Sequence, residues 1–328
     1  MILGIDIGGA NTKITELEGE CYRIHHIYFP MWKKHDKLVE LLRRFNREEV
    51  EKVGIVMTAE LVDAYRSKRE GVKHILEAVE RAFPHRDIYV FDVDGNFLEV
   101  EDARRNYIKV SASNWTATAY FVARYISRRC ILLDMGSTTT DIIPIIDGKV
   151  VAEKTDLKRL MSNQLLYVGA LRTPLPFLTN VITFRGCKTN VSSEYFSITA
   201  DMNLILNKIG REDYTCDTPD GAPVDRESCM RRVARILCSD LEELSEEEIL
   251  DVCYQLYGKL LELVRYNVDL LSKRYNMKDV VITGLGEGIV REALEGYNIL
   301  SIGEMYGREV SLSTPSFAVA KLLEDLGK

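Results

Sequence analysis

The sequence predicts an α/β protein of two lobes, each a mixed sheet with helices, and three glycine-bearing turns carry that prediction. From Ile131 to Ile146 (ILLDMGSTTTDIIPII) an apolar run stops at Asp134, passes Gly136 and four hydroxyl residues, and resumes after Asp141. Such runs are strand signals, and the small polar residues joining them suit a tight reversal. ILGIDIGGANTK near the start repeats the design, with apolar residues leading to Asp6, then Gly8 and Gly9, then Asn11, Thr12 and Lys13. Two copies of one turn imply two similar halves. The third turn lies in VVITGLGEGIV, where a buried-strand run enters Gly284, Gly286 and Gly288 and a helical pattern follows. A length of 328 residues also exceeds one comfortable core.

In chain order, the first lobe is expected over residues 1–128. After its hairpin, a helical segment from Asp36 to Glu49 places Leu38, Leu41, Leu42 and Phe45 on one face. The strand Val53 to Met57 delivers Thr58, Glu60 and Asp63 to the carboxyl edge, where open α/β sheets bind ligands. A polar loop with Arg66, Lys68, Arg69 and Glu70 precedes a helix from Val72 to Ala82. Glu60 and Arg66 are suited to grip a substrate's amine and an anionic group; the plainer alternative is a capped, solvated loop. Ile88 to Val93 reads as a strand, Tyr107 to Val110 as a further short one, and Asn114 as the cap of a helix carrying Trp115, Ala119 and Val122.

The second lobe is expected over residues 129–314. Asp147-Gly148 between two apolar pairs marks a tight hairpin turn. Between Leu157 and Phe177 the pattern loosens, and Gly169, Arg172, Pro174 and Pro176 mark a loop placed to close over a substrate. Asp213 to Asp225 is irregular, and its aspartates fit no calcium loop. Ser245-Glu-Glu-Glu248 is a capping box opening a long helix toward Tyr275, with Leu256, Leu260, Leu263, Val264 and Leu270 turned inward. A closing helix, 315–328, is placed to pack back on the first lobe.

The hairpin tips offer outward N–H groups and hydroxyls, a concavity for phosphate oxygens. Carboxylates beside such a cradle repel the ligand unless a hard cation intervenes, which points to Mg2+ held by one or two of them together with phosphate oxygens. Asp6 and Asp134 are the candidate metal ligands, and Asp6, Asp134, Asp141 and Lys13 the candidate catalytic groups. Gly8, Gly9, Asn11, Thr12, Gly136, Ser137, Thr138 and Thr139 are the candidate phosphate contacts. Neither better-known nucleotide fingerprint fits: Lys13 lies in an outgoing strand rather than at a helix start, and the Gly284 turn has the wrong third spacing.

In this order the three turns resemble the two phosphate motifs and the adenosine motif of the superfamily of sugar and acetate kinases, actin and Hsp70, with its actin-like or ribonuclease H-like ATPase fold. Within it the chain is similar to the hydantoinase A and oxoprolinase branch, and there to the family first noted as a tetrahydromethanopterin-linked C1 transfer pathway protein. The segments carrying this are GIDIGGANTK, MTAELVDAYRSKREGV, NWTATA, LLDMGSTTTDIIPI, LYVGALRTPL and EYFSITADMN, which span most of the chain. The resemblance implies a transferase of methanofuran biosynthesis that condenses an (aminomethyl)furan-methyl diphosphate with γ-glutamyltyramine, forming an aryl ether and releasing diphosphate. It adds Arg172, Gly284 and Gly286 to the substrate contacts. The tips, Mg2+ and Lys13 would then neutralise the leaving group, a carboxylate would take the phenol proton, and lobe closure would exclude water. The alternative is an ATP-dependent kinase or hydantoinase/oxoprolinase-like amidohydrolase of the same fold; ATP use is the less favoured reading. A third class is a non-catalytic, ATP-regulated switch.

A net charge of −7 argues against nucleic-acid or anionic-membrane partners. No apolar run reaches the eighteen or so residues of a membrane span, and the start of the chain enters a strand directly, so a cytoplasmic location is expected. Small molecules are the expected partners, with self-association into a homo-oligomer left open. Seven cysteines without C-x-x-C pairing suggest neither disulfides nor zinc, and most are expected to be buried. Five histidines make no metal spacing.

Overall fold

A computed structural model describes residues 1–326. The first sheet contains β1 (Ile2–Ile7), β2 (Asn11–Glu18), β3 (Cys21–Tyr28), β4 (Lys52–Met57), β5 (Asp87–Phe91) and β6 (Phe97–Glu99), in the order β3-β2-β1-β4-β5-β6. β1 is antiparallel to β2 and parallel to β4, so this is a mixed sheet. Side chains alternate across a strand, and β1 uses both faces. Leu3, Ile5 and Ile7 join the core formed with Leu38, Leu41, Leu42, Val72, Ile75 and Val79. Gly4 faces the other way, under the helix Thr314–Asp325, where a Cβ would sit 2.0 Å from Ser316 O. Its register partner Gly54 lies beneath Val319 and Leu323 of the same helix. A hydrogen bond of 2.9 Å between the buried hydroxyls of Thr15 and Ser316 fixes the crossing.

The second sheet contains β7 (Cys130–Met135), β8 (Thr140–Ile146), β9 (Lys149–Val150), β10 (Leu165–Leu166), β13 (Asp279–Thr283) and β14 (Asn298–Ser301). Its order is β10-β8-β7-β13-β14 with β9 on β8, and β11 (Val181–Phe184) and β12 (Cys187–Asn190) form a separate hairpin. β13 and β14 run parallel while β8 and β10 run antiparallel, so this sheet is mixed as well. The predicted fold class is the one observed. Two compact units result: Met1–Leu132 with Ile143–Ser162 and the segment from Ile302, and Leu133–Ile142 with Asn163–Ser301.

Several elements follow their local signals. Ser245 accepts the Glu248 N–H while Glu248 returns to the Ser245 N–H, and the helix runs Glu246–Tyr275 before Asn276 ends it in the left-handed region. Leu256, Leu260 and Val264 are buried there, whereas Leu263 and Leu270 are only half-buried. Asp147 and Gly148 both have positive φ, as a two-residue hairpin requires.

Others differ. The helical segment around residue 40 is broken into Met31–Lys34, a 3-10 turn His35–Lys37 and Leu38–Arg43. Tyr107–Val110 is a helical turn, not a strand; the Ser111 hydroxyl closes it by donating to Tyr107 O at 2.7 Å. Asn114 is the first helical residue rather than the cap, because the Ser113 N–H donates to Met57 O and sets the entry of the helix Asn114–Tyr125 at the end of β4. Of the seven cysteines only Cys130, Cys229 and Cys253 are buried.

Candidate functional site

Both hairpin tips have one construction. The Gly8 N–H donates to Asn11 O at 3.0 Å, and the Gly136 N–H donates to Thr139 O at 2.9 Å. Flanking backbone takes the tip carbonyls in each case. Met31 and Phe29 donate to Gly9 O and Ala10 O; Ala170 donates to Gly136 O, and Leu171 and Arg172 to Ser137 O, at 2.8 to 3.0 Å. In a trans peptide the next N–H points opposite to the carbonyl. The N–H groups of Ala10 and Asn11, and of Ser137 and Thr138, therefore face away from the flanking segments, as an anion-binding nest requires.

The equivalence also exposes a difference. Asp6 and Asp134 each lie two residues before the tip glycine, but five residues after it the first unit has Lys13 and the second Asp141. Asp6 and Lys13 are register partners, with Lys13 Nζ 3.7 Å from Asp6 Oδ2. Burial raises the Asp6 carboxyl above the usual range, and the Lys13 charge opposes it. Asp6 Oδ1, Asn11 Oδ1 and Thr12 Oγ1 are buried with no hydrogen-bond partner among the described residues. Asp134 and Ser137 to Thr139 are half-buried, and the Ser137 and Thr138 hydroxyls lie 3.4 Å apart. Thr140 is not a phosphate contact: its hydroxyl is buried and donates to Val168 O at 2.8 Å.

Three His, Cys, Asp or Glu side chains do not converge anywhere among the described residues. Magnesium rarely asks for such a cage, since it keeps waters and phosphate oxygens and takes one or two carboxylates. The partnerless Asp6 Oδ1 is an oxygen of the kind it uses.

Glu60 is the most unusual group of the first unit. Thr58 and Ala59 N–H both donate to Ile7 O, at 3.0 and 3.1 Å, folding the chain after β4 over the end of β1. The loop then lies against the tip, where a Cβ on Gly9 would be 3.3 Å from Val62 Cγ1. Glu60 is 1% exposed. Burial pushes its carboxyl up to about 7, against its own N–H, the Ala112 N–H and Lys68, with Asp156 adding to the rise. Arg66 is exposed, and its backbone N–H donates to the Glu70 carboxylate at 2.9 Å.

In the second unit Gly169 is pressed onto the tip, for a Cβ there would be 2.5 Å from Thr138 N. Arg172 is exposed, near enough to Tyr195 and Cys216 for its charge to act on both. Gly284, with φ +93°, and Gly286 are required for close approach to the end of β7: their Cβ atoms would meet Asp134 Oδ1 at 2.4 Å and the Met135 side chain at 2.2 Å.

Sequence patterns missed one buried group in this unit. Asp201 is 0% exposed and accepts four hydrogen bonds, from Tyr214 Oη (2.8 Å), Arg232 Nε (2.8 Å), Ser197 Oγ (2.9 Å) and Ile198 N (3.0 Å). Arg232 and Arg235 also hold Asp220, so the irregular Asp213 to Asp225 segment is anchored rather than loose. In the sequence this region is marked only by EYFSITADMN, one of the segments that carry the family resemblance.

The family model described as hydantoinase/oxoprolinase matches residues 51–326, most of the chain. The chain belongs to the hydantoinase/oxoprolinase family. Within it, the chain is 65% identical over 324 residues to the (4-{4-[2-(γ-L-glutamylamino)ethyl]phenoxymethyl}furan-2-yl)methanamine synthase of Methanocaldococcus jannaschii, covering 99% of this chain and 98% of that protein. It is 53% identical over 213 residues to the synthase of the same name from Methanococcus vannielii, covering 63% of this chain and 96% of that one. Among solved structures, nucleotide-free acetone carboxylase superposes with a TM-score of 0.59 at 10% identity, over 98% of this chain and 70% of that one, which shows a shared fold.

Proposed function

We propose that this family member is a transferase of methanofuran biosynthesis that condenses an (aminomethyl)furan-methyl diphosphate with γ-glutamyltyramine, forming the aryl ether and releasing diphosphate. The observation that carries this is the 65% identity, across essentially both full lengths, to a synthase named for that ether. A tip that presents N–H groups to an anion, of which each unit has one, is the kind of part a diphosphate leaving group needs, because charge stabilisation on the departing oxygens lowers the barrier most. In the first unit the N–H groups at Ala10 and Asn11 are candidate donors to phosphate oxygens and Lys13 adds positive charge; in the second unit the N–H groups at Ser137 and Thr138 and the hydroxyls of Ser137, Thr138 and Thr139 are candidate donors. Gly8, Gly9 and Gly136 let the backbone come close. Asp6 in the first unit and Asp134 in the second are each candidate magnesium ligands, and magnesium bound there supplies charge to the leaving diphosphate. Arg172 is a candidate contact for an anionic substrate group.

The test is mass spectrometry of the purified protein with magnesium, the furan diphosphate and γ-glutamyltyramine, with and without ATP. Ether and diphosphate without ATP are expected. No ether in either reaction, but ADP formed when amides or alcohols are offered, would replace this assignment with an ATP-dependent enzyme.

A further inference from the structure

Resting on the function proposed above, we propose that Glu60 is the general base of the ether-forming step, with the backbone at Ala112 as its positioning element. The Glu60 N–H and the Ala112 N–H lie close enough to its carboxylate to favour the charged form, while Oε2 is buried with no hydrogen-bond partner among the described residues. Oε2 is therefore the oxygen left open. Ala112 reaches this arrangement at φ +49°, a left-handed conformation that a residue with a Cβ seldom adopts. Backbone held in such a region marks a site that the surrounding structure enforces. The enforcement is visible: the next residue, Ser113, donates its N–H to Met57 O at 3.2 Å, tying the Ala112 peptide to the end of the strand that delivers Glu60.

The contrast with Asp201 decides between a structural and a chemical role. That carboxylate is buried as deeply, and both its oxygens are saturated with donors. Where the fold needs a buried carboxylate for structure, it satisfies it. Glu60 is left half-satisfied, and Ser113 Oγ and Thr116 Oγ1, just beyond Ala112, are likewise buried without partners. Three buried polar atoms at this edge of the first sheet are thus without partners among the described residues. The charged groups acting on Glu60 are Lys68, on the helix Lys68–Ala82, which favours the carboxylate, and Asp156, on the helix Asp156–Met161, which disfavours it. Together with burial they leave a base poised close to neutral pH, the range in which proton transfer to a side chain is most effective.

A phenol with a pKa near 10 is almost entirely protonated at neutral pH. In the step proposed, the phenol proton passes to Glu60 Oε2 and the phenol oxygen forms the new bond to the furan methylene carbon. The bond from that carbon to the diphosphate oxygen breaks, and its electron pair leaves with diphosphate. Nothing is oxidised or reduced, and Glu60 returns its proton to water after release.

The experiment compares wild type and Glu60→Gln on two acceptors, γ-glutamyltyramine and a ring-fluorinated analogue whose phenol is already largely ionised. Loss of a general base costs about 10²- to 10⁴-fold. That loss is expected for the native acceptor, with most of it recovered for the fluorinated one, and the fall in kcat/KM on the acid side of neutrality should disappear in the variant. Equal losses on both acceptors would make Glu60 a binding group, for instance for the substrate's ammonium, and overturn the assignment. Unchanged rates would overturn it too. Ether formation by wild type distinguishes these from failure of the proposed function itself, since a wild-type protein that makes no ether from either acceptor removes both.

Discussion

Two glycines inside helices are expected to respond to alanine in opposite directions. Gly71 lies in the helix Lys68–Ala82 and Gly258 in Glu246–Tyr275, and alanine is favoured over glycine within a helix by about 1 kcal/mol. A Cβ on Gly258 meets nothing within 4 Å, so Gly258→Ala should gain about that amount. A Cβ on Gly71 would stand 2.1 Å from Glu60 O and 2.7 Å from Glu60 C and Cα. These are backbone atoms that no rotamer change can move aside. Overpacking of this kind costs about 1–3 kcal/mol and here falls at or beyond the upper end, so Gly71→Ala should lose on the order of 2 kcal/mol net. Because the displaced peptide belongs to Glu60, turnover should fall with it. Urea denaturation of both variants, with m unchanged from wild type, measures the difference. If Gly71→Ala proves as stable as Gly258→Ala, the close approach of that helix to the Glu60 backbone is wrong.

Three more expectations follow from the geometry. Asp134→Ala should lower ether formation by orders of magnitude with the unfolding midpoint little changed; near-native turnover, or a variant that simply unfolds, would remove its proposed metal role. Asp201→Ala removes the fully buried carboxylate partner of Arg232, leaving it Asp220 alone, and should cost about 3–5 kcal/mol in urea unfolding, whereas a loss below 1 kcal/mol would show that the pair is solvated. Glu60 has its carboxyl at about 7 in the folded chain against an ordinary 4.5. Below pH 4.5 it is protonated folded or unfolded and costs nothing; as pH rises toward 7 the unfolded chain ionises first, and stability is lost. Wild type should thus lose roughly 3 kcal/mol relative to Glu60→Gln between pH 4 and pH 8, and parallel stability curves would contradict the buried, half-satisfied carboxylate.

Several features were legible because their causes are local. Apolar runs broken by glycine and hydroxyl residues specify hairpins whichever chain they sit in, so both tips and the strand entering Gly284 could be located by pattern. Ser245 and Glu248 cap each other within one turn, which makes the start of the long helix a four-residue decision. Tyr107–Val110 was misread since four residues are too few to show a period, and its helical turn is closed by Ser111 just outside it. Period alone does not say which hydroxyl of a polar run is drawn inward, as that of Thr140 is toward Val168.

The sequence by itself determined the two-lobed α/β class, the position of the two glycine-bearing hairpin tips and, through its family motifs, the reaction to test. Tertiary structure alone decided the chemical state of the groups. Asp201 and Glu60 are both acidic residues in polar stretches, and nothing local separates them. Asp201 is saturated by donors from Ser197, Ile198, Tyr214 and Arg232, while Glu60 lies under the influence of the backbone of Ala112, fifty-two positions away, and is buried with Oε2 open. Burial and hydrogen bonding set whether a carboxylate is a structural ion or a base, and both are properties of what the fold brings near it.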